Sequence, residues 1–119
     1  MYEILEHTGD AKIKALGKTK AELFANAMKG MIAILQPKIN FSKPKVTRKI
    51  KVSSEDINTL LVDFLNEVNY LIQTQREVYD KIKFIQFSET HLKAELTGRK
   101  VEEFEEEIKA VTYYGLNIT

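Results

Sequence analysis

The tetrapeptide His7-Thr8-Gly9-Asp10 combines residue types and spacing that could do chemistry. A carboxylate three residues after an imidazole, in a turn beside a strand end, could hold a divalent cation. The same segment could instead be an Asx-type turn, in which the carboxylate of Asp10 accepts hydrogen bonds from nearby backbone amides. Two candidate ligands are too few to define a metal, so the spacing leaves both interpretations open.

A second group of polar residues falls on one side of a predicted helix. Asp63, Glu67 and Tyr70 follow one another at intervals of four and three, with Asn66 beside them. Carboxylates spaced i,i+4 repel each other unless they are solvated, protonated or paired with a cation. This side of the helix is therefore either an ordinary solvated surface or an edge that faces a pocket or a partner.

Near the end of the chain, Lys109 lies in an apolar and β-branched stretch and is followed by Tyr113 and Tyr114. A lysine in such a strand could form an ion pair, could be aimed at a phosphate or carboxylate, or could simply lie on the solvent side. The two tyrosines occupy adjacent positions, so they point to opposite faces of a strand.

Several classes of chemistry are excluded or disfavoured by composition. The chain has no cysteine, which excludes thiol catalysis, disulfides, zinc ribbons and iron–sulfur clusters. No nucleophile–base pair, glycine-rich phosphate loop or serine-hydrolase motif is found. A metal-dependent hydrolase is one hypothesis, but the sparse ligands disfavour it. Composition and spacing alone predict a soluble domain with an acidic site.

Length and charge restrict the partners. With 119 residues the chain is one domain. Eighteen Lys+Arg against 17 Asp+Glu give a net charge of +1, which argues against strong direct nucleic-acid binding and against a polybasic membrane patch. No apolar run of about 18 residues is present, so we expect no membrane span. The cysteine-free composition and the absence of a signal peptide predict a cytoplasmic protein.

Hydrophobic periodicity predicts the elements that must position these residues. Apolar stripes predict one helix from a Thr19 cap to Leu35 and a longer one that opens at a Ser54 cap. Alternating residues predict strands, which span 2–6, 12–17, 46–53, 79–87, 92–97 and 108–118.

The connections are predicted from turn residues and breaks in the pattern. Residues 38–45 are expected to form a loop, 88–91 a hairpin turn, and Gly98-Arg99 the end of a strand. A phase switch between Phe84 and Ile85 indicates a bulge or a strand covered on both sides. The order of elements predicts an α+β fold, with two helices packed on a largely antiparallel β-sheet.

Three segments resemble the archease family. Residues 2–10 (YEILEHTGD) resemble its E-H-T-A-D signature, 60–67 (LLVDFLNE) its L-L-V-D-W-L-N-E segment, and 107–114 (EIKAVTYY) its E-I-K-A-V-T-Y-H segment. Gly9 stands for the usual alanine, and Phe64 for the usual tryptophan. Order and spacing match along the whole chain, which makes the three segments together far more specific than any one of them.

The resemblance implies an accessory protein and not a free-standing enzyme. Archeases are small metal-binding proteins that assist the tRNA-splicing RNA ligase, which joins 2′,3′-cyclic-phosphate or 3′-phosphate ends to 5′-hydroxyl ends. They promote guanylylation of the ligase and its multiple turnover. The alternative role that the family implies is a chaperone-like modulator of a tRNA cytosine-5 methyltransferase.

The family's functional residues carry over to individual positions of this chain. The resemblance implies that Asp10 binds a divalent metal ion, and its oxygen ligand suits calcium, magnesium or manganese. It also implies functional roles for the helix acid Asp63 and for Lys109, and His7 and Glu67 lie in the same matched segments.

Two features depart from the family at the end of the chain. Tyr114 replaces the usual histidine of the third segment. The family also continues through another strand that ends near a metal-holding aspartate. We therefore expect residues 1–119 to form a single archease-like domain that lacks its C-terminal strand and the partner of Asp10.

Overall fold

The computed structural model describes the backbone of residues 2–7 and 10–105, and the side chains of residue 2 and residues 15–105. The strand predicted over 108–118 therefore lies outside the described residues. The described elements are, in chain order, β1 (Tyr2–His7), β2 (Asp10–Ala15), α1 (Lys20–Leu35), β3 (Pro37–Ile39), β4 (Val46–Ser53), α2 (Ile57–Gln75), β5 (Glu77–Phe87) and β6 (His91–Phe104).

The long strand β6 lies at the centre of a four-stranded antiparallel sheet. β4 pairs with its first part and β3 with its last part, while β5 also pairs with β6. β1 and β2 form a separate antiparallel hairpin. The α+β fold with two helices on a largely antiparallel sheet is thus confirmed.

One face of the sheet carries the hydrophobic core. Leu92, Ala94 and Leu96 of β6 alternate with more exposed residues and are at most 1% exposed, because every second side chain of a strand points to the same face. Phe24 of α1 and Phe64 of α2 meet over this face with ring centroids 5.5 Å apart. Both helices therefore bury their apolar stripes against the same side of the sheet, as the periodicity predicts.

The helix caps agree with the prediction at α1 and differ from it at α2. The Thr19 side chain accepts a hydrogen bond from the backbone N–H of Glu22 at 3.1 Å. At α2 the cap is Asp56, whose carboxylate accepts from the N–H of Thr59 at 2.8 Å. The prediction of a Ser54 cap is wrong, because the backbone N–H of Ser54 still donates to a neighbouring turn and its hydroxyl is used elsewhere.

Two further predictions need correction. Pro37–Ile39 pairs with the end of β6, so the predicted loop begins after a short strand. β6 also continues through Gly98 instead of ending there. A Cβ at Gly98 would lie 1.7 Å from the carbonyl oxygen of Val78, so this glycine marks a close approach between strands and not a strand end.

The phase switch in β5 is confirmed as irregular pairing. The register with β6 shifts between Tyr79 and Lys81 and again between Phe84 and Gln86. Each shift leaves one extra residue on β5, which is the signature of a β-bulge. The bulges keep Ile82 and Phe84 on the core face while Ile85 is left 54% exposed.

Candidate functional site

The β1–β2 hairpin places the backbones of His7 and Asp10 directly opposite each other, next to its turn. This pairing brings together the two residues that the sequence singles out in the first segment. Thr8 and Gly9 lie outside the described residues, as do the side chains of His7 and Asp10.

The described side chains can be tested against the expectation of a bound divalent metal ion. A carboxylate oxygen suits calcium, magnesium and manganese, but calcium takes six to eight oxygen ligands, and magnesium demands near-ideal octahedral geometry. Among the side chains that the structure describes, no group of three His, Cys, Asp or Glu residues could hold an ion. The side chains that the structure describes therefore do not make up a metal site.

The second candidate group lies on the outward side of α2. Asp63 and Tyr70 are exposed, Tyr70 by 62%, and Glu67 is half-buried one turn from Asp63. The Ser54 hydroxyl donates to a carboxylate oxygen of Asp63 at 2.5 Å. We call Asp63, Glu67 and Tyr70 the α2 acidic flank.

The charged side chains of the α2 acidic flank are all negative. The helix from Ile57 to Gln75 contains two carboxylates and no Lys or Arg, so no cation of the same helix offsets them. An exposed aromatic ring beside uncompensated carboxylates suits contact with a basic protein surface, because aromatic residues are enriched at interfaces and opposite charges steer association.

The α2 acidic flank begins beside the hairpin turn between β5 and β6. The backbone N–H of Ser54 donates to the carbonyl of Thr90 at 2.9 Å. Next to it, the Ser53 hydroxyl and the Nδ1 of His91 are 2.8 Å apart. His91, the last residue of the predicted hairpin turn, is half-buried, and its ring contact with Ser53 joins this turn to the end of β4.

The described structure contains a buried group of charged and polar side chains that sequence analysis missed. The carboxylate of Glu77, at the start of β5, is fully buried. It accepts hydrogen bonds from the Nε of Arg48 at 2.5 Å and from the hydroxyl of Tyr79 at 2.8 Å, and the Nζ of Lys100 lies 3.1 Å away. We call these four residues the Glu77 cluster.

The protonation states within the cluster follow from burial and hydrogen bonding. Burial alone raises the pKa of Glu77, but the hydrogen bonds from Arg48, Tyr79 and Lys100 outweigh it and hold the pKa below its usual range. Burial, and then the hydrogen bond to Glu77, raise the pKa of Tyr79. Glu77 is therefore ionised and Tyr79 neutral at pH 7, and the cluster joins β4, β5 and β6 as a structural unit.

Nothing in the sequence marks the Glu77 cluster. Arg48 and Glu77 are 29 residues apart in the chain. Glu77 also follows a polar stretch that is typical of a loop. Only the pairing of β4 and β5 with opposite edges of β6 brings them together.

The remaining predicted site residues, Lys109 and Tyr114, lie outside the described residues. Across the described ranges, neither helix is both long enough and apolar enough to cross a membrane.

Comparisons with known proteins agree with the order of elements and the matched segments. The family model of the Archease protein family matches residues 2–119. The chain is 36% identical to the protein archease of Methanosarcina barkeri, covering 99% of this chain and 86% of that protein. It is 31% identical to the protein archease of Thermococcus kodakarensis, covering 98% of this chain and 87% of that protein.

Two solved structures share the fold. A solution structure from Methanobacterium thermoautotrophicum superposes with a TM-score of 0.66 at 25% identity, over 96% of this chain and 85% of that one. The crystal structure of a Thermotoga maritima archease, described there as a possible chaperone, superposes with a TM-score of 0.60 at 22% identity, over 95% of this chain and 82% of that one.

Proposed function

Because this chain belongs to the Archease protein family, we propose that it is a non-enzymatic accessory protein of the tRNA-splicing RNA ligase. It promotes guanylylation of the ligase and allows multiple turnover, and it acts in the cytoplasm. The observation that carries the proposal is the family match over residues 2–119, which includes all three segments that resemble the family.

The α2 acidic flank supports this proposal as the surface that contacts the ligase. It presents Asp63 in the second matched segment and the exposed ring of Tyr70 on one side of a helix without cations. The hydrogen bond from Ser54 orients the carboxylate of Asp63 toward the end of the sheet. A carboxylate that is fixed in direction loses less entropy when it pairs with a partner's Arg or Lys.

A divalent metal ion, either calcium, magnesium or manganese, is part of the proposal, with Asp10 as its ligand. The support is the position of Asp10 opposite His7 in the hairpin, together with the resemblance of residues 2–10 to the family. When bound, such an ion would supply positive charge at the turn of this hairpin. Titration of the protein with each ion, followed by calorimetry and repeated with Asp10→Asn, tests this part on its own.

Reconstituted ligation tests the ligase proposal. The cognate ligase is incubated with GTP, its metal and RNA ends bearing 2′,3′-cyclic phosphate and 5′-hydroxyl groups, with and without this protein. We expect more ligase–GMP adduct and more than one turnover per ligase when the protein is present. Equal adduct and equal turnover with and without it would refute the proposal.

Matched variants locate the contact. Asp63→Asn removes a charge from the α2 acidic flank, while Glu22→Gln removes one from an exposed position on α1. We expect Asp63→Asn to reduce stimulation of the ligase at least about tenfold, because it removes one partner of a buried charge pair at the interface. Glu22→Gln should stimulate like the unmodified protein, and equal stimulation by both variants would remove the flank from the interface.

The second candidate is a chaperone-like modulator of a tRNA cytosine-5 methyltransferase. What favours it is the description of the Thermotoga maritima structure as a possible chaperone. A similarity at 22% identity shows a shared fold and not a shared role, so we rank this role below activation of the ligase. A change in the choice of methylated cytosines when the protein is added, with no effect on ligation, would reverse the order of the two.

A further inference from the structure

The face of the sheet opposite the core is strongly basic. In the register of the sheet, the residues opposite one another are Lys49 and Glu95, Lys51 and Lys93, and Lys83 and Glu95. Residues paired in this way share a face. Five lysines share this face, and we call them the lysine face: Lys49, Lys51, Lys81, Lys83 and Lys93.

These lysines are accessible and have no partner among the described side chains. Lys49, Lys51, Lys81 and Lys83 are exposed and Lys93 is half-buried between them. The ion pairs formed by described residues involve Lys20, Lys38, Arg48 and Lys100, and none of the five. The carboxylates close to the five lysines are those of Glu95, between two of them, and of Asp80, at the adjacent bulge.

The net charge of +1 conceals this asymmetry. The acidic residues that balance the lysines lie elsewhere, in part on α2, the helix that packs against the core face of the sheet. Total charge predicts no strong nucleic-acid binding, whereas binding to a polyanion depends on where the charges are clustered.

The placement of Lys51 opposite Lys93 is costly for the protein alone. Like charges directly opposite each other on neighbouring strands destabilise a sheet. Alternate strand residues lie about 7 Å apart and neighbouring strands about 4.8 Å apart, so the five ammonium groups occupy a small, flat surface. A bound polyanion would remove the repulsion between them.

The composition of the face favours the backbone of a double helix as that polyanion. Single strands are held largely by stacking of bases on aromatic rings, and the positions of this face carry no Phe, Tyr or Trp. Lysine acts on phosphate as a compact charge without base specificity. Thr47 and Thr97, paired beside the lysines, add hydroxyl groups that can donate to phosphate oxygens.

We propose that the lysine face binds the phosphate backbone of double-stranded RNA. The choice of RNA over DNA rests on the proposed function, since the substrate of the ligase is a structured RNA. The surface is separate from the α2 acidic flank, so one molecule could contact an RNA stem and a protein at the same time.

Binding of a labelled RNA duplex of about 16 base pairs, followed by fluorescence anisotropy, tests the proposal. The assay contains no ligase, so its failure leaves the proposed activation of the ligase standing. We expect affinity to fall steeply between about 50 and 200 mM NaCl, with a logarithmic slope close to −0.9 for each phosphate contacted.

Paired charge variants assign the binding to the face. Lys49→Gln with Lys51→Gln should weaken binding at least about tenfold and reduce the salt slope by about 2. Lys18→Gln with Lys38→Gln removes the same charge from exposed positions off the face and should change binding less than about twofold. Thermal unfolding of both double variants verifies that each is folded.

Three results would overturn the proposal. The first is no salt-dependent binding of the RNA duplex. The second is equal weakening by the two double variants, which would indicate unspecific attraction by charge. The third is markedly tighter binding of a DNA duplex of the same length, which would contradict the choice of RNA. If the lysine-face variant loses ligase stimulation while the unmodified protein binds no RNA, the face belongs to an acidic protein partner instead.

Discussion

Replacement of Glu77 by glutamine should reveal how much the buried charge stabilises the sheet. The carboxylate is fully buried, and it accepts from Arg48 and Tyr79 and pairs with Lys100. Glutamine keeps the size of the side chain and an acceptor for the Tyr79 hydroxyl. Glu77→Gln therefore removes the negative charge while it preserves most of the packing.

The expected loss can be bounded from the contacts. Breaking a buried ion pair costs about 3–5 kcal/mol, since the remaining charge is left without a partner. Here the side chains of Arg48 and Lys100 are 35% and 34% exposed, so both can turn partly toward water. Two hydrogen bonds from charged donors, each contributing about 1.5–3 kcal/mol, are nevertheless weakened. We expect the free energy of unfolding to fall by about 2–4 kcal/mol at pH 7.

The pH dependence gives the prediction a second, independent readout. The pKa of Glu77 is lower in the folded protein than in the unfolded chain, where it is about 4.3. Its contribution is therefore complete above that unfolded value and is lost as pH falls through the folded pKa. The difference in stability between the unmodified protein and Glu77→Gln should be constant from pH 7 to about 5.5 and shrink below about 4.3.

Urea unfolding monitored by circular dichroism measures both quantities. Glu89→Gln is the matched control, because its ion pair with Lys20 at 2.5 Å is exposed and should contribute less than about 1 kcal/mol. A loss in Glu77→Gln no larger than in this control would refute the reasoning. So would a difference that stays constant far below the unfolded pKa.

Three further predictions concern stability. Gly98→Ala should lower the free energy of unfolding by at least about 3 kcal/mol in urea titrations, because its Cβ would lie 1.7 Å from the backbone oxygen of Val78. Unchanged stability would show that the two strands do not lie this close together. Lys93→Gln should leave stability unchanged or raise it by about 0.2–1 kcal/mol, since it relieves repulsion with Lys51, and a clear loss would mean that Lys93 has an attractive partner. Phe24→Ala should cost about 3–5 kcal/mol through the cavity it leaves in the core, measured as a lower thermal midpoint, and a cost below about 1 kcal/mol would contradict its place there.

The elements were predictable wherever the periodicity of the residues is strong. The alternating residues of 46–53 match β4, and the stripe from Thr19 to Leu35 matches α1 together with its cap. Local physics suffices there, because a strand or helix with one apolar face has one way to bury it. The cap of α2 was misplaced by two residues, since Ser54 and Asp56 are both good caps and only the path of the chain selects between them.

Part of the candidate site was likewise predictable from residue spacing, and the structure supplied the rest. The i,i+4 spacing of Asp63 and Glu67 places both on one side of α2, and the structure adds that Ser54 orients Asp63 and that Tyr70 is exposed. The sequence predicts a turn between two short alternating segments, but it assigns His7 and Asp10 to that turn. The structure instead pairs them as the last partners of β1 and β2.

The sequence by itself determined the fold class, the family and the candidate site residues, because these follow from local spacing and from motifs. Only the tertiary structure decided the distribution of charge. The Glu77 cluster and the lysine face both depend on which strands flank β6 and in which register, and pairing between distant strands is not encoded in any one segment. A net charge of +1 is one sum over the chain, whereas binding depends on distances between charges that folding sets.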